Sequence, residues 1–428
     1  MTDKIADKLN RVVIVGSKRT PFVKSFGKFK KLSHQALLTS VLQDLVKEHK
    51  LEGKKLGDVI GGSVIKSARD FNLIRESLLG TELDPKTPGL DIQRACGTSL
   101  EAAIIVANKI RLGQVESGIA CGVDTNSQAP IETSDALRDM LFDLNFARTT
   151  GQRLKKLLSF RPRFLKLKQP SIMEPRTKKS MGQHCELMAK EWEVSREEQD
   201  LYAIDSHNKT EAAYKNGFYD DLIKETVGAK KDQFVRAGST PEQLAKLKPA
   251  FDRKNGTLTA ANSTPFTDGA AAVLLASEDY AKKHNLPILA YIVDGQVSAV
   301  DFVHGDGLLM APTSAVSEML TRMNMALSDF DHYEIHEAFA AQALCTMKAW
   351  EESSYCQGKL GLEAPLGKID RSKLNVMGGS LAIGHPFAAT GARLLGATAK
   401  VLHQKGNGKA LITACTAGGM GVAMAIEK

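Results

Sequence analysis

Apolar positions along the chain follow two habits. Short apolar runs at 11–16, 59–64, 118–123, 269–277 and 289–297 are bounded by glycine and polar residues, which predicts buried strands. Leu37, Leu38, Val41, Leu42 and Leu45 recur three and four apart, which predicts a helix over 34–47. Residues 99–111 are alanine-rich and apolar on most sides, the pattern of a buried helix. Ser195 with Glu198 three residues on makes a capping box and starts a helix over 195–216. Pro312 opens a helix over 311–323, residues 333–335 form a short strand, and 344–350 continue as helix. Stretches 224–249 and 256–268 are polar or turn-rich and read as loops. Strand and helix alternate in the first part of the chain and again in the second, which argues for an α/β layer fold.

The alternation breaks after Asp124. Between 148 and 168 stand eight basic residues and no acidic one. Leu137, Met140, Leu141 and Leu144, then Leu154, Leu157 and Leu158, have helical spacing, so the segment reads as two basic amphipathic helices and a basic tail. A solvated face on an inserted subdomain, contact with an acidic membrane or partner, and binding of cofactor phosphates are all open readings.

Composition narrows the class. The 428 residues, 43% apolar and 25% charged, fit a soluble globular protein of two or three domains. No apolar run reaches the ~18–20 residues that cross a bilayer, and residues 1–10 are too polar for a secretory signal. The net charge of +8 favours anionic partners without choosing among nucleic acid, membrane and a phosphorylated cofactor. Six cysteines form no CxxC pair, and no His/Cys spacing points to zinc, so free thiols in a reducing cytoplasm are expected.

Chemistry concentrates in three corners. GGSLAIGHP at 378–386 and TACTAGGMG at 413–421 are apolar segments running into glycines, and RACGTSL at 94–100 precedes the 99–111 helix. Each offers one group able to move a proton: His385, Cys415 and Cys96. Taken singly, they read as a turn residue and two core thiols. Together they are what acyl transfer through a thioester requires. A free thiol has a pKa of ~8.5, and a helix N-terminus or a nearby histidine lowers it; Cys96 has the first in sequence, and His385 could supply the second as general base. Gly378, Gly379 and Gly384 allow close backbone approach, and Gly418-Gly419 would expose N–H groups to an oxyanion. Spacing alone does not bring the three groups together.

The chain resembles the thiolase family over nearly its whole length. The likeness is carried by RTPF at 19–22, CGTSLEA at 96–102, SREEQD at 195–200 and GTLTAANSTPFTDGAAAVLL at 256–275. It continues in HEAFAAQ at 336–342, GGSLAIGHPFAATGAR at 378–393 and CTAGGMG at 415–421. The resemblance implies two similar βαβαβαββ halves in a layered α/β/α/β/α core with an inserted loop domain. The halves would be 1–124 with 250–281 and 282–428, and the insertion 125–249. It implies Cys96 as the acylated nucleophile, His385 as its base and Cys415 as a second acid/base. It also implies a water held by His336, and oxyanion donors at the backbone N–H groups of Cys96 and Ala417. Thr264, Met181, Ala338 and Phe339 would line the CoA and acyl pocket. CoA is then a co-substrate, with no metal or redox cofactor.

Two departures stand out. His336 replaces a common asparagine and adds a titratable group. Ala417 replaces a glycine and keeps the hole only if its φ stays negative. The histidine variant and the basic insertion resemble the 3-ketoacyl-CoA thiolase β subunit of fatty-acid oxidation complexes. That implies β-oxidation, a homodimer or tetramer, a hydratase/dehydrogenase α subunit, membrane-surface contact through 148–168, and no nucleic acid. The competing readings are a short-chain acetoacetyl-CoA thiolase, a decarboxylating ketoacyl synthase of the same fold, and a non-catalytic lipid carrier or scaffold. Cys415 argues against the synthase.

Overall fold

A computed structural model describes residues 9–428. The reading of the N-terminal ten residues therefore lies almost wholly outside the described part.

The first half runs β1 (Val12–Arg19), α1 (His34–Glu48), β2 (Asp58–Gly62), α2 (Leu73–Leu79), β3 (Gly89–Asp91), α3 (Thr98–Arg111) and β4 (Ser117–Asp124). The insertion carries α4 (Asp135–Phe146), α5 (Thr150–Leu158), α6 (Met181–Glu191) and α7 (Arg196–Lys215), and β5 (Thr267–Ser277) closes the half. The second half runs β6 (Ala290–Ala299), α8 (Ala311–Met323), β7 (His332–Ile335), α9 (Ala340–Glu351), α10 (Thr390–Lys405), β8 (Lys409–Thr416) and β9 (Met420–Glu427).

The halves repeat one topology. Outward from the middle, β1-β5-β4-β2-β3 is matched by β6-β9-β8-β7. In each, the first two contacts are antiparallel and the next is parallel. The partner of β3 in the second half has shrunk to one parallel bridge between Tyr333 and Leu374. Sequence identity between the halves is too faint to reveal this duplication; strand order makes it plain. The half-sheets are not separate. Val12, Val13 and Ile14 pair with Ile292, Tyr291 and Ala290 and join them into one sheet of ten strands, counting the two-residue strand Val23–Lys24.

Alternation along the strands sorts side chains into layers. Val13 and Val15 face α1 and α2 on one outer side. Leu411 and Ala425 face α8 and α9 on the other, around Trp350. Val12, Ile14, Val273, Ile412 and Met424 face the centre, where α3 and α10 lie between the half-sheets. Small residues permit that layer. A Cβ on Gly391 would stand 2.4 Å from the Leu100 nitrogen, and one on Gly396 would stand 2.0 Å from Ser17 Oγ. The sequence reading assigns no element to α10; in the fold Gly391 packs on α3 and Gly396 on β1.

The insertion holds one correction. Its first helix, α4, is not basic, since Asp135, Asp139 and Asp143 line it with Arg138 as its one cation. The basic residues lie on α5 and in the tail. Lys156 and Lys168 pair back to Asp143 and Asp135, while the other six cations of 148–168 have no acidic partner among the described residues. Neither α4 nor α5 buries a single residue, and Phe146 and Leu158 are 75% and 78% exposed.

Candidate active site

The site lies where the N-termini of α3 and α10 meet. Ala392 N–H donates to Ser99 Oγ at 2.8 Å and pins the two helix starts together. Cys96 precedes α3 in a single 3₁₀ turn, Ala95–Gly97. Ala95 sits at φ 41°, the left-handed region that costs an alanine about 1 kcal/mol. His385 precedes α10 on a turn made by Gly384 at φ 106°, where a Cβ would press on Thr267. The topological repeat thus delivers one reactive group from each half to one point.

His385 Nε2 is 3.1 Å from Cys96 Sγ. Its Nδ1 is 2.6 Å from Thr390 Oγ1, and its backbone N–H donates to Thr267 Oγ1. His336, at the end of β7, stacks against it with ring centroids 4.2 Å apart. Its Nδ1 is 2.9 Å from Ser380 Oγ, while its buried Nε2 has no partner. Arg393 reaches the same Ser380 Oγ at 2.6 Å and pairs with Glu334 at 2.9 Å. Cys415 is buried at the end of β8, close enough for a charge on Cys96 to raise its own pKa.

The charge state differs from the sequence expectation of a lowered thiol pKa. Burial pushes the Cys96 thiol up to about 12, and the Asp124 carboxylate adds to the rise; the Ala417 N–H aimed at the sulfur works the other way. Burial, helped by the Arg393 cation, brings His385 down to about 3. His336 is held well below its ordinary range by burial, then by His385 and Arg393. The resting pair is a neutral thiol facing a neutral imidazole. Such a pair transfers its proton only as negative charge leaves the sulfur for a bound electrophile.

The glycine corner after Cys415 corrects a second expectation. Gly418 and Gly419 take φ of 78° and 70°, and Ala417 stays out of that region, so its N–H faces Cys96. The Gly418 N–H is not open to an oxyanion. It donates to the buried carboxylate of Glu174 at 2.7 Å. Glu174 comes from the insertion and has no motif around it.

Four pocket residues were expected. Thr264 spends its hydroxyl on the Ser380 carbonyl at 2.9 Å, and its N–H donates to Ala338 O. Ala338 and Phe339 lead from His336 into α9 and are 8% exposed. Met181 heads α6 against the same apolar cluster. Phe339 meets Phe251 edge to face at 5.8 Å.

Sequence reasoning quoted several supporting residues without assigning them roles. Glu337, inside HEAFAAQ, accepts from Ser206 Oγ, Asn375 Nδ2 and Leu381 N–H and holds the 378–381 corner in place. A Cβ on Gly379 would stand 2.2 Å from that carboxylate. Asp124 accepts from Val64, Ile65 and Ala388 N–H beneath His385, and burial raises its pKa to about 6. In RTPF, Arg19 forms a two-pronged buried pair with Asp232 at 2.7 and 2.8 Å.

Comparison with known proteins gives the family. Residues 12–279 match the family "Thiolase, N-terminal domain" and 286–428 match "Thiolase, C-terminal domain". The chain belongs to the thiolase family. It is 41% identical over 424 residues to a 3-ketoacyl-CoA thiolase of Colwellia psychrerythraea, covering 97% of each chain. Among solved structures, this thiolase superimposes on an acetyl-CoA acetyltransferase of Bacillus anthracis with a TM-score of 0.82 at 31% identity, covering 98% of this chain and 99% of that one. It also matches human mitochondrial 3-ketoacyl-CoA thiolase in complex with CoA, with a TM-score of 0.81 at 29% identity over 98% of both chains. The thiolase is an acyltransferase enzyme. No described helix is long and apolar enough to cross a membrane.

Proposed function

We propose that this thiolase cleaves 3-ketoacyl-CoA with CoA, giving acetyl-CoA and a shortened acyl-CoA, in fatty-acid β-oxidation. The observation that carries the reading is the 3.1 Å approach of His385 Nε2 to Cys96 Sγ beside the Ala417 N–H. Cys96 Sγ attacks the 3-keto carbon while His385 Nε2 takes the thiol proton. The carbonyl oxygen becomes an oxyanion held by the Cys96 and Ala417 N–H groups. The carbonyl re-forms, and the C2–C3 bond breaks with its electron pair on C2. The enolate oxygen is met by protonated His385 Nε2 and a water on His336. Cys415 Sγ gives its proton to C2, and acetyl-CoA leaves. The incoming CoA thiol then gives its proton to the Cys415 thiolate and attacks the acyl–Cys96 carbonyl, and Cys96 leaves as a thiolate that takes back the proton held by His385. CoA is the co-substrate of the cycle, seated on 125–249 with Thr264 and Met181 beside its pantetheine and Ala338 and Phe339 toward the acyl chain.

A short-chain reading is favoured by the likeness to an acetyl-CoA acetyltransferase. CoA-dependent thiolysis of acetoacetyl-CoA against 3-ketohexadecanoyl-CoA, with Cys96→Ser as control, separates the two. Preference for the long chain supports β-oxidation, and preference for acetoacetyl-CoA overturns it.

Partners follow from two open surfaces. The partly exposed apolar α4–α5 hairpin, with the cations of α5 and of the tail to Lys168, suits an acidic membrane surface or an acidic face of a hydratase/dehydrogenase α subunit. The edge strand β3, with Leu90 41% exposed and nearby Phe71 88% exposed, suits self-association into a dimer. The location that fits is cytoplasmic, peripheral to membrane. Light scattering that gave a monomer would remove the second assignment.

A further inference from the structure

Cys96 Sγ, His336 and His385 each offer a ligand atom, and the three atoms lie within 4.8 Å of one another. We propose that this cluster is a binding site for one thiophilic divalent cation of the zinc class, which inhibits the enzyme reversibly by closing the nucleophile.

The cluster comes from three distant points of the sequence, 96, 336 and 385, so no spacing motif announces it. Tetrahedral zinc, with bonds of about 2.3 Å to sulfur and about 2.0 Å to nitrogen, needs ligand atoms roughly 3.3–3.6 Å apart. The Cys96–His385 pair at 3.1 Å must open slightly, and the remaining separations must close by up to about 1.5 Å. The second nitrogen of each ring is already held, His385 Nδ1 by Thr390 Oγ1 and His336 Nδ1 by Ser380 Oγ. Each hydroxyl can accept the ring N–H, which leaves the Nε2 lone pair for a metal, the outer support that zinc-binding histidines use. His336 Nε2 is fully buried and unpartnered. Of the six cysteines, Cys96 alone is partly open to solvent, and the other five are fully buried. Three protein ligands leave a fourth position for water.

Two features oppose a cation. The N-termini of α3 and α10 carry positive dipole ends, and Arg393 stands behind Ser380, although Glu334 pairs with it. A hard ion such as magnesium has no bond here to offset that field; a thiolate–metal bond does. Binding forms one metal–sulfur bond in place of the Cys96 S–H bond, and the proton goes to solvent. No electron changes hands. His336 is decisive: with asparagine at this position only two of the three ligands remain.

The test uses chelator-stripped whole enzyme in a buffer that does not bind metal. Titration with Co²⁺ should give one ion per chain with sulfur-to-cobalt charge-transfer absorption that Zn²⁺ displaces. The band should vanish in Cys96→Ser. Zinc should inhibit thiolysis, a chelator should restore it, and equal magnesium should do nothing. His336→Asn and His336→Gln should each raise the half-inhibitory zinc concentration about tenfold or more, measured against each variant's own rate. Charge-transfer absorption that persists in Cys96→Ser would overturn the site, as would zinc sensitivity in both His336 variants equal to that of the unsubstituted enzyme. The cobalt spectrum does not depend on which 3-ketoacyl-CoA is the substrate, so this proposal and the chain-length reading fail separately.

Discussion

The meeting point of α3 and α10 and the α4–α5 hairpin are opposite solutions for short helices. At the first, every neighbour is fixed: glycines admit backbone contact, buried carboxylates collect N–H groups, and the reactive side chains have few choices of position. At the second, two helices keep their caps, Ser134 and Thr149, yet bury nothing. Burial gives the centre its chemistry, because it keeps Cys96 and His385 neutral. Exposure gives the hairpin whatever role it has, because its apolar face, from Leu137 to Leu158, is only partly covered by the hairpin itself.

The sharpest way to break the contrast is at the nucleophile. Cys96→Ser should lower the thiolysis rate by about 10⁴-fold or more, followed as loss of the 3-ketoacyl-CoA substrate, with the melting temperature little moved. Next is the contact that ties Glu174 of the insertion to the Ala417–Gly419 corner. Glu174→Ala strands the Gly418 N–H and loosens the Ala417 donor beside it. A fall in kcat of about 10- to 100-fold at unchanged KM for CoA is expected, and Glu174→Gln, which still offers an acceptor oxygen, should recover most of it. An equal loss in both variants would point to a fold defect instead.

Packing at the centre comes third. Gly391→Val adds three carbons, the first of them 2.4 Å from the Leu100 nitrogen, and should cost about 1–3 kcal/mol in denaturant melts. The histidines give a smaller, pH-dependent effect. His385 and His336 stay neutral in the fold below their ordinary range, so the unfolded chain binds more protons there. Stability should therefore fall as pH drops below 6.5 toward the His385 value of about 3. His336→Asn removes one such group and should flatten the fall by up to about 1.4 kcal/mol per pH unit, read from melts at pH 6 and pH 4.5. Asp124 and Glu334, raised to about 6 and about 7 by burial, act in the opposite sense and cancel between the two proteins. The smallest effect on the fold belongs to the hairpin. Glutamate at Lys155, Arg161, Arg163 and Lys166 should change stability by less than about 0.5 kcal/mol while abolishing sedimentation with anionic vesicles at low salt. Retained sedimentation would remove membrane contact from the hairpin.

Much of the fold is legible where burial imposes one period. The α1 stripe from Leu37 to Leu45, the α8 start at Pro312 and the Ser195 capping box all appear at their expected positions. The α10 helix escapes because its glycines pack on α3 and β1, partners that only the fold supplies. β9 escapes because its run of small residues carries no strong alternation. The reactive residues are legible as a set of motifs, while Glu174, Asp124 and the join between β1 and β6 are long-range facts with no local signal. The lowered thiol pKa was expected from a helix N-terminus and a histidine, and both are present; desolvation outweighs them.

That neutrality has a consequence for how the enzyme ages. Peroxide and other mild oxidants attack thiolates, and a thiol that keeps its proton is a slow target for sulfenic acid formation. Burial raises the Cys96 pKa, so the thiol of the idle enzyme should form sulfenic acid under dilute peroxide more slowly than a free cysteine does. Covalent inhibitors that depend on a standing thiolate should be poor against it, and those that bring their own oxyanion into the Ala417 hole should be fast.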